Sequence, residues 1–463
     1  MERTRIVDYE GPADWQIIQQ ENGVAAIRIA GRVVVSGLEP DGDKFVAAAR
    51  LVREDSSHPV TQATDWQCTD QFDRSSGRFE HSFEWVPAGG LYRLEIGAGV
   101  DPSTDWPVIA QVVHCIGVGD LWVIAGQSNA AGIGTGLAED PPELGVHMLR
   151  NDEQWSLAIH PLNDATGSTH PNVEKRPLHS PNLAFAKRLR RELNMPIGLI
   201  QTSLGGSPLA AWNPEENAFL YRNLLHCVRL AGGAIRGVIW YQGCSDTGVS
   251  QAETYADRFA TMVNALRRDL DSPDLPVITT QLNKTWGGPN EEVDRGWSLM
   301  REAQRTMPGR IANLGVVPTV GLPLCDGIHN STAGNLELGQ RYAVTALGMV
   351  YGRPLPWRYP EPTEVTLRGD RRIVIRFEHV ASHLSLIRPN APDFRVEDEH
   401  GVVSVVEAWV ELRDTLVLKL ERAAAGGMHV SSCYGKQPDP SLFDVREHRP
   451  ALGFTNVPVR LAR

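Results

Sequence analysis

A serine stands where an apolar run stops. The run Leu121 to Ala125 ends at Gly126-Gln127-Ser128-Asn129, and the small residues Ala130-Ala131-Gly132-Ile133-Gly134-Thr135-Gly136 follow. An apolar strand ending at a polar, glycine-flanked serine presents its hydroxyl at the carboxyl edge of a sheet, where open α/β sheets bind ligands. Ser128 is therefore read as a nucleophile. Three other readings compete with it. A phosphate-binding P-loop needs Lys and Ser or Thr after its second glycine, but Ile133 follows Gly132, and the dinucleotide spacing fails because Leu137 follows Gly136. The nucleophile elbow Gly-x-Ser-x-Gly fits Gly126 and Ser128 and fails at Ala130. Taken alone, the stretch favours a plain helix cap, so the reading depends on the rest of the chain.

A serine nucleophile needs a base, a group that orients the base, and donors aimed at the developing oxyanion. Asp326-Gly327-Ile328-His329 follows the apolar run Leu314 to Val317 and precedes Ser331-Thr332-Ala333, a helix start. In a tight turn at that spacing Asp326 reaches the Nδ1–H of His329, which sets the tautomer and turns Nε2 toward the serine. Ser203-Leu204-Gly205-Gly206-Ser207 follows the run Ile197 to Thr202, and paired glycines let a backbone N–H approach a ligand closely. Gln242 emerges from the run Gly237 to Tyr241, where a buried amide needs a partner. An oxyanion-donor role for Gly205, Gly206 and Gln242 competes with a plain tight turn and an internally satisfied core amide.

These loops must be held by one sheet. Apolar runs at Leu121 to Ala125, Ile197 to Thr202, Gly237 to Tyr241, Val277 to Leu282 and Leu314 to Val317 are buried parallel strands in type. Between and after them, Asn182 to Leu193, Phe219 to Leu230, Ala252 to Leu270, Leu299 to Met307 and Ala333 to Tyr351 carry helical apolar spacing. The alternation predicts a doubly wound α/β/α sandwich over residues 119–353. Residues 1–118 read as a β-sandwich, from the alternation of Phe79, His81, Phe83 and Trp85 and of Tyr92, Leu94 and Ile96. Trp66 and Trp85 could stack on sugar faces there, although aromatic residues on sandwich strands are more often core. The proline-rich stretch Pro354 to Pro362 ends the α/β region, and residues 354–463 read as a second β domain, with Ile373, Ile375 and Phe377 alternating.

Composition narrows the function classes. With 45 Lys+Arg against 56 Asp+Glu, the net charge of −11 opposes binding to nucleic acid or anionic lipid. Met1 to Gly11 lacks the apolar core of a secretory signal and no run is long enough to span a bilayer, so no membrane partner is expected. The chain as it stands reads as cytoplasmic, and as periplasmic or secreted if a signal peptide was removed. Its six cysteines show neither a Cys-x-x-Cys pair nor the histidine spacing of a zinc site, so no metal and no cofactor are expected. The sequence sets no oligomeric state.

Taken together, Gly126-Gln127-Ser128-Asn129, Gly205-Gly206-Ser207 with Trp212, Trp240-Tyr241-Gln242-Gly243, and Asp326-x-x-His329 resemble the sialate O-acetylesterase-like branch of the SGNH hydrolases, close to carbohydrate esterase family six. The strong match runs from Asp120 to about Gly352. The resemblance implies a metal-independent acetylesterase on a flavodoxin-like α/β domain flanked by β domains, acting on O-acetylated carbohydrate. It implies Ser128 as nucleophile, His329 as base and Asp326 as its partner. The oxyanion hole would comprise the amides of Ser128 and of Gly205 or Gly206, and the Gln242 side chain. Gln127, Asn129, Trp212, Trp286 and Trp297 are the expected sugar contacts. Two positions depart from the family pattern: Ala130 stands where Met is usual, and Cys244 where a Glu is usual. A disulfide between Cys244 and Cys325, both in loops at the same sheet edge, is a further expectation. An acetyl-xylan esterase and a non-catalytic sugar-binding protein on an esterase core are the competing functions.

Overall fold

The apolar run before Ser128 is the end of a much longer strand, Val108–Gly126. A computed structural model describes residues 4–35, 46–54, 66–99, 108–164, 166–168, 170–172, 174, 176–387 and 393–461. In the first half of the long strand exposed and buried residues mix, and it pairs antiparallel with Leu91–Gly99. From Ile116 onward every residue is buried, and parallel neighbours flank it on both sides: Ile197–Gln201 and Gly237–Tyr241. Gly119 marks the crossing, since a Cβ there would lie 1.9 Å from the Pro196 carbonyl oxygen.

The amino-terminal part packs two sheets face to face. One contains Thr4–Glu10, Val24–Val35, Arg78–Pro87 and Gln71–Asp73; the other pairs Val46–Arg53 with Leu91–Gly99 and the start of the long strand. Ile27, Ile29, Phe79 and Phe83 of the first meet Leu51, Leu94, Ile96 and Ile116 of the second in one apolar core. Trp85 departs from the predicted alternation. Its φ of 59° turns it out of the strand, and it is 77% exposed.

The central sheet runs in the order Trp155–Leu157, Val146–Leu149, Ile197–Gln201, Val108–Gly126, Gly237–Tyr241, Val277–Gln281, Leu314–Pro318. All pairings in it are parallel except that of the edge strand Trp155–Leu157. The hairpin of the first two strands was not foreseen in the sequence. Helices Asn182–Leu193 and Thr332–Met349 pack on each other, as do Val249–Asp269 and Glu291–Thr306. Trp122 packs on Phe185 of the former pair, whereas Trp240, whose register partner Ala125 is of opposite parity to Trp122, packs on Phe259 of the latter, so the two pairs cover opposite faces. Phe219–Leu230 lies with the latter pair, its Tyr221 hydroxyl bonded to Asp269. The chain moves to one side of the long strand and then returns to the other, so the carboxyl ends of Val108–Gly126, Ile197–Gln201 and Gly237–Tyr241 open a crevice at the reversal point.

Beyond residue 360, eight strands form a sheet around Ile373, Ile375, Phe377, Leu416 and Leu418. Arg301 fastens this part to the central sheet. Its buried guanidinium donates to the carbonyls of Leu282 and Asn283 on one side and of Cys433 and Gly435 on the other. Gln281 adds a reciprocal pair with Gly453 at 2.8 and 2.9 Å.

Candidate functional site

The turn that carries Ser128 is shaped by Gly126, whose φ of +123° belongs to glycine and whose Cβ would lie 2.3 Å from the Tyr241 carbonyl oxygen. Gln127 then donates its N–H to that carbonyl at 2.9 Å, and the short helix Ser128–Ala131 begins. The serine is 7% exposed at the carboxyl end of the long strand.

His329 reaches it from the loop after Leu314–Pro318. Its Nε2 lies 2.9 Å from Ser128 Oγ, and its Nδ1 lies 2.7 Å from Asp326 Oδ2. The other Asp326 oxygen accepts the backbone N–H groups of Ile328 and His329, each at 2.8 Å. Partial burial, the largest single influence on Asp326, pushes its carboxyl upward. The His329 ring and the two backbone donors outweigh it and hold the group below the usual carboxylate range. An ionised carboxylate here requires the proton on Nδ1, which leaves the Nε2 lone pair facing the hydroxyl.

The loop is tied to the serine turn by Asn129. Its Nδ2 donates to the Ile328 carbonyl at 3.3 Å, and its Oδ1 accepts the Asn330 N–H at 2.9 Å. Asn283 braces the far side through Asn330 Oδ1 at 2.8 Å. Asn129 is thus committed to holding the histidine loop, which corrects its expected place among the sugar contacts. Gln127 is likewise engaged, its Oε1 accepting from Gly243 and Ser245 N–H at 3.1 and 3.3 Å.

Gln242 is not an oxyanion donor. It is fully buried, and its amide donates to the Ser207 carbonyl at 3.1 Å and to Asp246 Oδ2 at 2.6 Å, while its oxygen accepts the Tyr255 hydroxyl at 2.9 Å. Asp246, two residues after Cys244, supplies a carboxylate that also takes Leu209 N–H and Arg258. The Gly205 N–H is bonded to Glu174 at 3.1 Å. That of exposed Gly206 has no acceptor among the described residues, and neither has that of Ser128.

The tryptophans separate. Trp212 is wholly buried, edge-on to Trp240 at 5.2 Å, and donates to Ser207 Oγ; Trp297 is 3% exposed beneath Arg301. Both are packing residues rather than sugar contacts. Trp286 is 70% exposed, and its backbone N–H donates to the Gly327 carbonyl at 2.7 Å, beside Asp326. Cys244 and Cys325 are free thiols, and Cys325 Sγ instead faces the Ile133 and Asn330 carbonyls. Burial pushes the Cys244 thiol up to about 12. Glu174, Asp246 and Asn283 were missed in the sequence. Each acts by anchoring a loop, a role with no local motif.

A strand-end serine hydrogen-bonded to a carboxylate-anchored imidazole, on a mixed α/β sheet, is the arrangement of serine hydrolases. A family model described as carbohydrate esterase, sialic acid-specific acetylesterase, matches residues 118–348, so over its α/β part this chain is similar to that family of carboxylic ester hydrolases. A probable carbohydrate esterase of Arabidopsis thaliana is 29% identical over 269 residues, covering 52% of this chain and 95% of the plant protein. The human sialate O-acetylesterase is 22% identical over 324 residues, and the match spans 57% of this chain and 59% of the human protein. A carbohydrate acetylesterase from Xanthomonas citri shares the fold over 97% of this chain and 99% of its own, with a TM-score of 0.69 at 21% identity. No described helix is long and apolar enough to cross a membrane.

Proposed function

We propose that this protein is a carbohydrate O-acetylesterase of the sialate O-acetylesterase type. Its catalytic unit would be the flavodoxin-like region 119–353, with residues 1–118 and 354–463 as flanking β domains. The observation that carries the reading is the hydrogen-bonded line from Ser128 Oγ through both nitrogens of His329, 2.9 and 2.7 Å, to Asp326. Ser128 attacks the acetyl carbonyl as His329 Nε2 takes its proton. His329 then protonates the departing sugar oxygen, and water activated by the same nitrogen hydrolyses the acetyl-enzyme to acetate. The oxyanion is held by the N–H groups of Ser128 and Gly206, the latter next to the peptide that the Gly205 N–H to Glu174 bond fixes. Trp286, exposed beside Gly327, offers its face to the apolar side of a pyranose ring.

Acetate release from 4-nitrophenyl acetate and a panel of O-acetylated sugars tests this. Ser128→Ala and His329→Ala should each lower kcat by about 10⁶, and Asp326→Asn by about 10³ to 10⁴. Wild-type release no faster than that of Ser128→Ala on every ester would overturn the reading.

A further inference from the structure

Three carboxylate and imidazole clusters occur among the described residues, and they differ in what balances the charge. In Asp140, His160 and His179, Lys187 sits on the second Asp140 oxygen at 2.7 Å. In Glu361, Glu378 and His379, Arg305 sits on Glu361 at 3.1 Å. The third, Glu153 with His170 and His226, has no such cation: the only ion-pair partners of Glu153 among the described residues are the two imidazoles.

The proton positions in that cluster are set from a distance. Asn163 donates to the Ser203 carbonyl at 2.8 Å, Asn151 to Asn163 Oδ1 at 2.6 Å and to the Asp164 carbonyl, and Asn172 to Asn151 Oδ1 at 2.8 Å and to the Gln201 carbonyl. Asn223 in turn donates to Asn172 Oδ1 at 3.0 Å. Because main-chain carbonyls only accept, every amide in the line has one orientation, and Asn223 turns its oxygen to His170 Nδ1 at 2.8 Å. The His170 proton is on Nδ1. A neutral ring then turns its Nε2 lone pair to Glu153 Oε1 at 3.1 Å, acceptor against acceptor, and His226 Nε2 lies 3.3 Å from the same oxygen. Such an arrangement calls for a cation between them.

The dimensions select its chemistry. Zinc bonds of about 2.0 to 2.1 Å in a tetrahedron give ligand-to-ligand edges of about 3.3 Å, and two edges here are 3.1 and 3.3 Å, with all three ligand atoms within 4.8 Å of one another. The oriented outer nitrogen of His170 is the support that metal-bound histidines have. We propose that Glu153, His170 and His226 form a zinc site with water as fourth ligand. The site is structural, apart from Ser128, and braces through the asparagine line the loop that carries Gly205 and Gly206. The ligands lie 17 and 73 residues apart in the chain, so no sequence spacing announces them.

Calorimetric titration of the chelator-treated full chain with zinc chloride, and the visible spectrum of its cobalt form, test the proposal. One equivalent should bind, with the intense bands of tetrahedral cobalt. Uptake should be lost in His226→Gln and Glu153→Gln, both at exposed positions where folding is checked by circular dichroism, and affinity should fall about 10 to 100-fold in Asn223→Ala. Absence of uptake by wild type would mean a hydrogen-bonded imidazolium pair and would overturn the proposal. So would uptake unchanged in both substitutions.

Discussion

Asn129 separates holding a catalytic group from touching substrate. Its two bonds fix the peptides on either side of His329, so Asn129→Ala frees the base without altering the surface a sugar meets. We expect kcat to fall about 10² while KM changes little, since misplacement of about 1 Å costs that much; steady-state kinetics on one acetylated sugar checks it. Gln242→Leu should behave differently. It leaves the buried Ser207 carbonyl without its donor and takes one of several partners from Asp246 and from the Tyr255 hydroxyl, at about 1 to 3 kcal/mol for the group left unsatisfied. Urea unfolding should show the loss, with kcat per folded molecule nearly kept. That Ser128, Asp326 and His329 meet was legible because each sits within a few residues of a strand end or helix cap. Gln242 misled because what decides its role is the occupancy of its amide, and Asp246 and Ser207 are its partners only in the folded chain.

At the level of elements, periodicity served where one face is apolar. Asn182–Leu193 and Phe219–Leu230 fall where predicted, whereas the helix predicted from Leu299 begins at Glu291. Its first turn carries Glu291, Glu292 and Asp294 behind the Asn290 cap, a polar start that answers to the helix dipole and has no apolar period. The hairpin around Val146–Leu149 carries a titration. His147 is fully buried, donates Nδ1–H to the Trp15 carbonyl at 2.7 Å, and burial lowers it to about 4. The neutral ring is what the fold accepts, so this contribution is complete above the unfolded value of about 6.5 and is lost as pH falls from there through 4. The loss is about 3 kcal/mol. His147→Asn should flatten that part of the pH dependence of urea unfolding. Arg301→Met should cost at least about 3 kcal/mol at any pH near neutral, because four carbonyls lose their donor.

For the whole molecule, the expected boundary at 118/119 falls inside the strand Val108–Gly126, and the one at 353/354 is bridged by Arg301 and Gln281. Composition and texture change where the sequence reading put those limits, but hydrogen bonding does not stop there. A fragment of residues 119–353 should therefore lack a cooperative thermal transition and near-ultraviolet dichroism, although the full chain has both. Sequence texture reports which neighbours a strand has on each side; it is silent on whether one strand changes neighbours midway.

That shared strand has a consequence for how the molecule opens. Its amides from Ile116 to Gly126 lie between parallel partners and the sandwich, so they cannot come free singly. Deuterium should enter them as one block, at the rate of global unfolding, and the peptide beneath Ser128 should be as slow as any in the chain. In the histidine loop, the amides of Ile328, His329 and Asn330 bond side chains rather than strand partners, and they should exchange far sooner. Under the proposed mechanism the nucleophile should keep still, and the base should be the part that fluctuates.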